Sequence, residues 1–168
     1  MRWMDGEGSS YLRAGVGEVL GLLEILDDES GKMDVYRLGK SIHHHLEQLL
    51  DVLETARILG FIEYEAGDVF LTPKGKRFVE STQDERKRMI ADALLEIQVF
   101  RDFLSFLSSR EDHTVELDEL DQFIVGDFTQ EELQKIKNAF LNWGRFAELI
   151  WVDSDEREIH LEEEEEEA

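Results

Sequence analysis

Cysteine is absent from the 168-residue sequence, and so are long uninterrupted apolar runs. Without thiols the chain forms no disulfide, no thiolate metal site and no cysteine nucleophile, which weakly favours an intracellular setting. No apolar run approaches the roughly 18–20 residues that a membrane-spanning helix needs, and the N-terminal stretch MRWMDGEGSS has no apolar export core. These absences predict a soluble, cytoplasmic protein.

The sequence also lacks the short motifs that mark many catalytic sites. It contains no serine nucleophile elbow, no H-E-x-x-H pair and no glycine-rich phosphate loop. Pairs of carboxylates are uninformative, because 40 acidic residues produce suitable spacings by chance. We therefore expect a protein that is not an enzyme and uses no cofactor.

Basic residues are few, since 18 Lys and Arg against 40 Asp and Glu give a formal net charge of −22. The hydrophobic content of 42% is still sufficient for a packed core. Residues 83–168 carry −16 of the net charge, and residues 1–82 carry −6. The glutamate run predicts a disordered acidic tail at 162–168, and residues 1–14 are expected to form a flexible N-terminus.

Residues 15–82 have the pattern of three helices followed by a two-stranded hairpin. Apolar residues recur at helical spacing in GEVLGLLEIL, in DVYRLGKSI with Asp34 as N-cap, and in the stretch that ends at Gly60. The strands FIEYE and VFLT flank the turn AGD. Thr72 then caps a further helix, with Pro73 at its first position. This order predicts a first winged helix-turn-helix.

Residues 83–161 repeat the plan as a second winged helix with a long leading helix. That helix begins at a capping box, Thr82 with Glu85, and continues to about Ser108. VELDELDQFI forms a short second helix, Thr129 caps a third, and FAELIWV with EIHL forms a second hairpin. A shift of 84 residues superimposes the apolar positions of the two third helices: Leu133, Ile136, Phe140, Trp143 and Gly144 fall on Leu49, Val52, Ala56, Leu59 and Gly60.

The predicted fold class is therefore mainly α with small β-hairpins, an α+β protein built as a tandem winged helix-turn-helix. Trp143, Phe146 and Trp151 are assigned to the core of the second copy rather than to a ligand cage. A single mixed domain with a C-terminal hairpin is the alternative, because any two amphipathic helices can be slid into phase.

Winged helices usually bind DNA through basic residues on the third helix and the hairpin. Here the first hairpin carries Glu63, Glu65 and Asp68 instead, which favours a protein partner and makes nucleic acid an unlikely one. Basic residues cluster only near the junction of the two copies. With two aromatic residues of the long helix they form the candidate partner-binding set: Lys74, Lys76, Arg77, Arg86, Lys87, Arg88, Phe103 and Phe106.

The long helix is apolar around most of its circumference, which predicts burial on several sides. Burial between the two copies is the simplest explanation, and a homodimer seam is the alternative. Histidines give no metal site by sequence, because the consecutive residues His43–His45 point about 100° apart on a helix. His43 with Glu47 is a weak candidate pair, and His113 and His160 are isolated.

Four stretches carry a resemblance to a known family: GEVLGLLEIL, LETARILGFIEYEAGDVFLTPKGKRF, ERKRMI and WGRFAELIWVD. They resemble the AAA-associated C-terminal domain, which is found behind the ATPase of nitrate, sulfonate and taurine-type ABC transporters. The resemblance covers about residues 15–162, with the segments in the same order. It implies a winged-helix-like regulatory or interaction module that works with a transporter ATPase in the cytoplasm, peripheral to the inner membrane.

One departure limits what the resemblance implies. The family context supplies a nucleotide-binding domain upstream, whereas this sequence has no G-x-x-x-x-G-K-[ST] loop, so ATP binding is not carried over. The chain is either a free-standing relative or an excised domain, and Met1 does not distinguish the two. We expect a non-enzymatic module for a protein partner such as a transporter ATPase subunit. The alternative is a winged-helix DNA-binding transcription regulator that uses the basic clusters.

Overall fold

The structure, a computed structural model, describes residues 11–41 and 46–163. Within these residues the protein is mainly helical and contains two small antiparallel sheets. The α+β class predicted from the sequence is therefore confirmed. The chain divides into two compact units, Met1–Arg86 and Lys87–Ala168.

The first unit consists of helices around a three-stranded sheet. Its elements are α1 Val16–Asp28, β1 Lys32–Asp34, α2 Val35–Ser41, α3 Leu46–Ile58, β2 Ile62–Glu65, β3 Asp68–Leu71 and α4 Pro73–Glu80. The strand order is β1–β3–β2, with both pairings antiparallel. The sequence predicts only the β2–β3 hairpin and misses β1.

The second unit has a similar order of elements. It contains most of α5 Gln83–Leu94, then α6 Gln98–Ser109, β4 Thr114–Glu116, a 3₁₀ helix Leu117–Phe123, α7 Gln130–Phe146, β5 Ile150–Asp153 and β6 Glu158–Leu161. The strand order β4–β6–β5 repeats that of the first sheet. The short second helix predicted from VELDELDQFI is thus a strand followed by a 3₁₀ helix.

The long helix predicted from Thr82 to Ser108 is divided into α5 and α6. Ile97 is extended, with φ −91° and ψ 122°, and its N–H donates to Leu94 O at 3.0 Å. The buried residues are Ile90, Ala93 and Leu94 in α5, and Phe100, Phe103 and Leu107 in α6. In one continuous helix these two sets would lie about 100° apart around the axis. The break allows both sets to be buried.

The ends of α3 and α7 show how the two units correspond. At the end of α3, Gly60 has φ 83°, and Phe61 N–H donates to Ala56 O at 2.9 Å. At the end of α7, Glu148 has φ 58°, and Leu149 N–H donates to Gly144 O at 3.0 Å. The left-handed helix end predicted at Gly60 is confirmed, but its counterpart is Glu148, 88 residues later. The predicted offset of 84 residues is therefore wrong by about one helical turn.

Gly144 lies inside α7 rather than at its end. A Cβ at Gly144 would come within 2.9 Å of Ile150 Cδ1. The glycine therefore allows β5 to approach the helix closely, a packing role rather than the helix-ending role implied by its alignment with Gly60.

The sequence-predicted helix caps at Asp34 and Thr72 are both confirmed. Asp34 Oδ1 accepts hydrogen bonds from Tyr36 N–H at 3.0 Å and Arg37 N–H at 3.1 Å. Thr72 Oγ1 accepts from Gly75 N–H at 3.0 Å and donates to Gly60 O at 2.7 Å. The Thr72 hydroxyl thus joins the start of α4 to the end of α3.

Replacing Thr72 by alanine should lower the free energy of unfolding by about 1–2 kcal/mol, because the cap and the bond to Gly60 O are both removed. Thr72→Ser keeps the hydroxyl and should retain most of the stability. Urea denaturation followed by circular dichroism measures both variants. Equal losses of stability in the two variants would instead assign the effect to packing of the Thr72 methyl group.

The segment before α1 is attached to α3. Arg13 N–H and Ala14 N–H both donate to Thr55 Oγ1, at 3.0 and 3.1 Å, and Tyr11 and Leu12 are buried. The flexible N-terminus predicted for residues 1–14 therefore includes four residues with fixed contacts, while residues 1–10 lie outside the described part. Of the predicted acidic tail, residue 162 donates its N–H to Leu149 O at 3.0 Å, and residues 164–168 lie outside the described part.

Candidate interaction site

Two of the three basic residues of α4 already contact groups of the first unit. Lys76 Nζ lies 2.5 Å from Asp27 Oδ1 and 3.5 Å from Glu80 Oε1, and the hydrogen bond to Asp27 raises the pKa of Lys76 above its ordinary value. Lys74 Nζ lies over the Phe61 ring, 5.8 Å from its centroid. Arg77 is exposed and has no ion pair among the residues that the structure describes.

The basic residues at the start of α5 are divided in the same way. Arg86 donates through Nε to Phe78 O at 2.9 Å and through Nη2 to Val79 O at 2.7 Å. It therefore holds the carbonyl end of α4, where a cation is favoured by the helix dipole. Lys87 Nζ lies 2.7 Å from Glu148 Oε1. Arg88 is exposed, again without an ion pair in the described part of the chain.

The two phenylalanines proposed for partner binding lie against aromatic residues of their own unit. Phe103 is fully buried, edge-on to Phe123 and Phe140 with ring centroids 5.3 and 5.2 Å apart. Phe106 is half-buried beside Phe123, and Arg110 lies over its ring at 5.5 Å. Phe103 thus belongs to the core of the second unit. Much of the apolar surface of α6 is buried in this core.

A buried polar cluster lies between α3 and the first hairpin. Glu54 is only 5% exposed. Its two carboxylate oxygens form an ion pair with Arg57, accepting hydrogen bonds from Nε and Nη2 of the guanidinium group. Tyr64 of β2 lies beside this pair, and burial, reinforced by the Glu54 carboxylate, raises the pKa of the Tyr64 hydroxyl above its usual range. Arg57, the one cation of α3, is therefore held by Glu54.

The corresponding face of the second unit also lacks a continuous basic strip in the described residues. Lys137 is largely buried and lies 2.7 Å from Asp121 Oδ1, while Arg145 is exposed near the end of α7. The hairpin turn presents Asp155 and Glu156, whose N–H groups both donate to Asp153 Oδ1 at 3.1 Å. The one cation of this turn, Arg157, is exposed and pairs with Asp118 at 3.3 Å.

Trp151 is a surface residue, although the sequence pattern assigns it to the core. Its exposed fraction is 45%, whereas Trp143 is fully buried. Strand alternation explains the difference, because Ile150 of β5 points inward and the next residue must point outward. The Trp151 ring stacks on His160 with a centroid distance of 3.8 Å. Sequence reasoning missed this pair.

Metal-ligating residues lie together at one place in the described part of the chain. Asp153, Glu158 and His160 each offer a ligand atom, and these atoms lie within 4.8 Å of one another. The weak sequence candidate His43 lies outside the described residues, as does the side chain of Glu47.

These observations define a mainly helical α+β protein of two units. In the residues that the structure describes, no helix is long and apolar enough to cross a membrane. The family model of the C-terminal AAA-associated domain matches residues 36–153, well over half of the chain. The chain belongs to this family. Comparisons with curated proteins and with solved structures find no match.

Proposed function

We propose that the chain is a non-enzymatic interaction and regulatory module that acts on the ATPase subunit of an ABC transporter. Membership of the C-terminal AAA-associated domain family supports an association with an ATPase. The resemblance in segments such as GFIEYEAGDVFLTPKGKRF extends the proposal to ATPases of the nitrate, sulfonate and taurine-type transporters. Such subunits work at the cytoplasmic face of the membrane, so the proposal includes that location.

The proposal takes each unit to be a winged helix-turn-helix, with α3 and α7 as third helices and the β2–β3 and β5–β6 hairpins as wings. Equivalent backbone hydrogen bonds in the two units support this assignment. Leu71 N–H donates to Gly31 O and Leu161 N–H to His113 O, at 2.7 and 3.0 Å. Each of these bonds ties the end of a hairpin to the residue before the unit's first strand.

One observation favours a protein partner over a nucleic acid: three of the basic candidates already bind acceptors within the fold. Lys76, Lys87 and Arg86 are held by acceptors within the fold, at distances from 2.5 to 2.9 Å. DNA binding requires several cations free to displace counterions at phosphates. Of the six basic candidates, Arg77 and Arg88 are the two that are exposed without an ion pair in the described part of the chain.

We expect the parent protein to show no measurable binding to duplex DNA at about 50 mM salt, which means a dissociation constant weaker than about 0.1 mM. Fluorescence anisotropy with a labelled duplex measures this directly. The charge-reversed variant Arg77→Glu with Arg88→Glu is the matched comparison, because both side chains are exposed and neither has an ion pair in the described part of the chain. Tight binding by the parent that disappears in this variant would favour the transcription-regulator alternative and contradict the proposal.

The proposed partner is tested with a purified transporter ATPase subunit. We expect the chain to bind the subunit and to change its rate of ATP hydrolysis, while the chain alone hydrolyses no ATP. Because the chain carries a net charge of −22, affinity for a basic docking surface should decrease as salt is raised. Binding without any change in hydrolysis would leave an interaction role and remove the regulatory one. Absence of binding would remove both.

A further inference from the structure

The face of the second hairpin that carries Trp151 also carries three metal-ligating side chains. Asp153 of β5 is the direct partner of Glu158 of β6, and Trp151 is the direct partner of His160. Since alternate residues of a strand share a face, Glu158 and His160 lie on one side of the sheet with Asp153. Two carboxylates directly opposite each other repel and destabilise a hairpin. A positive charge between the two carboxylates would offset this repulsion.

His160 is fixed with one nitrogen directed toward these carboxylates. Its ring stacks on Trp151, nearly parallel at 7°, and its Nδ1 lies 2.9 Å from Thr114 Oγ1. The Thr114 hydroxyl donates its one proton to Asp112 O at 3.1 Å, so its oxygen accepts a hydrogen bond from Nδ1–H of His160. In the neutral imidazole, Nε2 then carries the lone pair.

The Nε2 atom of His160 is the unsatisfied group of this cluster. It is inaccessible to solvent and has no hydrogen-bond partner among the described residues, and it lies 3.5 Å from Glu158 Oε1. A lone pair facing a carboxylate oxygen at this distance is unfavourable unless a cation lies between them. Metal-binding histidines have this arrangement, in which an acceptor holds the N–H of one ring nitrogen and the lone pair of the other faces the metal.

The first hairpin provides an internal comparison. There Lys32 and Phe70 are the paired residues that correspond to Thr114 and His160. Lys32 Nζ lies 3.4 Å from Asp68 Oδ2 and 5.4 Å from the centroid of the Phe70 ring. A lysine thus supplies the positive charge in the first unit.

In the second hairpin no organic cation takes the place of Lys32. Within the described part of the chain, Asp153 and Glu158 have no Lys or Arg at ion-pair distance, and the nearby Arg157 pairs with Asp118 at 3.3 Å. The imidazole and the two carboxylates remain as a set of donors without a charge to balance them.

We propose that Asp153, Glu158 and His160 bind one divalent transition-metal ion, with Zn²⁺ as the best-suited probe. An imidazole with two carboxylates suits zinc, and a fourth position is left for water. Ligand atoms on a tetrahedral zinc ion lie about 3.4 Å apart. The ligand atoms of the three side chains now lie within 4.8 Å of one another, and rotation of the two carboxylate side chains would bring them to the shorter spacing. The imidazole disfavours Mg²⁺ and Ca²⁺, which prefer oxygen ligands.

The test is titration of the full-length chain with Zn²⁺ by isothermal calorimetry at neutral pH. To remove adventitious binding at the adjacent His43, His44 and His45, the titrations use a background in which these three residues are serine. We expect one Zn²⁺ per chain, retained in millimolar Mg²⁺ and Ca²⁺. Glu158→Gln keeps the shape of the side chain and should abolish binding. Thr114→Val should weaken it by about 10- to 100-fold.

The matched control is the double variant Thr114→Lys with His160→Phe, which places the residues of the first hairpin in the second. It should fold normally and bind no Zn²⁺. His113→Asn removes a histidine outside the cluster and should leave binding unchanged. A chain that binds no Zn²⁺ in the serine background, or that binds it equally in Glu158→Gln and the double variant, contradicts the proposal. Nitrogen chemical shifts of the His160 ring on Zn²⁺ addition give a readout that needs no variant of the cluster.

Discussion

Trp143→Ala should lower the free energy of unfolding of the second unit by about 3–5 kcal/mol. Trp143 is among the largest fully buried side chains of the described residues, and Phe100 and Phe140 of the same core are stacked with centroids 4.0 Å apart. Alanine would leave a large cavity that this aromatic packing cannot refill, and a loss of this size approaches the whole stability of an ordinary small domain. Amide hydrogen exchange, read residue by residue, measures the change.

Trp151→Ala is the matched control for Trp143→Ala. It removes the same side chain from a site that is 45% exposed, where the indole stacks on the His160 ring. We expect a cost of about 1 kcal/mol. A similar destabilisation by the two variants would contradict the burial assigned to Trp143. Hydrogen exchange also tests the division of the chain, since Trp143→Ala should reduce protection in residues 87–163 more than in residues 46–86.

Features fixed by local chemistry could be predicted from the sequence. Thr72 followed by Pro73 gives a helix start, and Ala66 with Gly67 gives a two-residue hairpin turn in which both residues have positive φ. In each case the deciding contacts lie within a few residues. The family resemblance is likewise confirmed by the match to residues 36–153.

Features that depend on distant contacts could not be predicted in this way. Strand β1 is three residues long, and its partner β3 begins 34 residues after β1 ends. No local sequence pattern therefore predicts that the two strands pair. The predicted repeat offset is wrong because a shift of four residues rotates a helix by only about 40°. The apolar face of α7 therefore matches that of α3 almost equally well at 84 and at 88 residues. Hydrogen bonds at the helix ends resolve the ambiguity.

The charges of the candidate site could be predicted from the sequence, but the contacts of its residues could not. The sequence shows that Arg86 and Arg88 are basic, yet only the fold shows that Arg86 holds the carbonyl end of α4 while Arg88 is exposed. His160 is isolated in the sequence because Thr114 lies 46 residues away. Its sequence signal is the strand alternation that places it on the same face as Glu158.

Gly75→Ala should destabilise the first unit by about 3 kcal/mol, the upper end of the usual cost of overpacking. Gly75 is buried in the first turn of α4, and a Cβ there would lie 2.3 Å from Phe61 O and 2.8 Å from Leu71 Cδ1. Phe61 O also accepts a hydrogen bond from Thr72 N–H at 3.0 Å. The backbone therefore cannot move away without breaking the connection between the hairpin and α4. Urea denaturation measures the destabilisation.

Gly21→Ala is the matched substitution and should have the opposite sign. Gly21 lies inside α1, and a Cβ there would meet no atom within 4 Å. Alanine in a helix interior is favoured over glycine by about 1 kcal/mol, because glycine loses more backbone entropy on folding. The two variants should therefore differ by about 4 kcal/mol although the chemical change is identical. If Gly75→Ala were as stable as Gly21→Ala, the close approach of α4 to Phe61 would be excluded, and with it the packing of this helix against the hairpin.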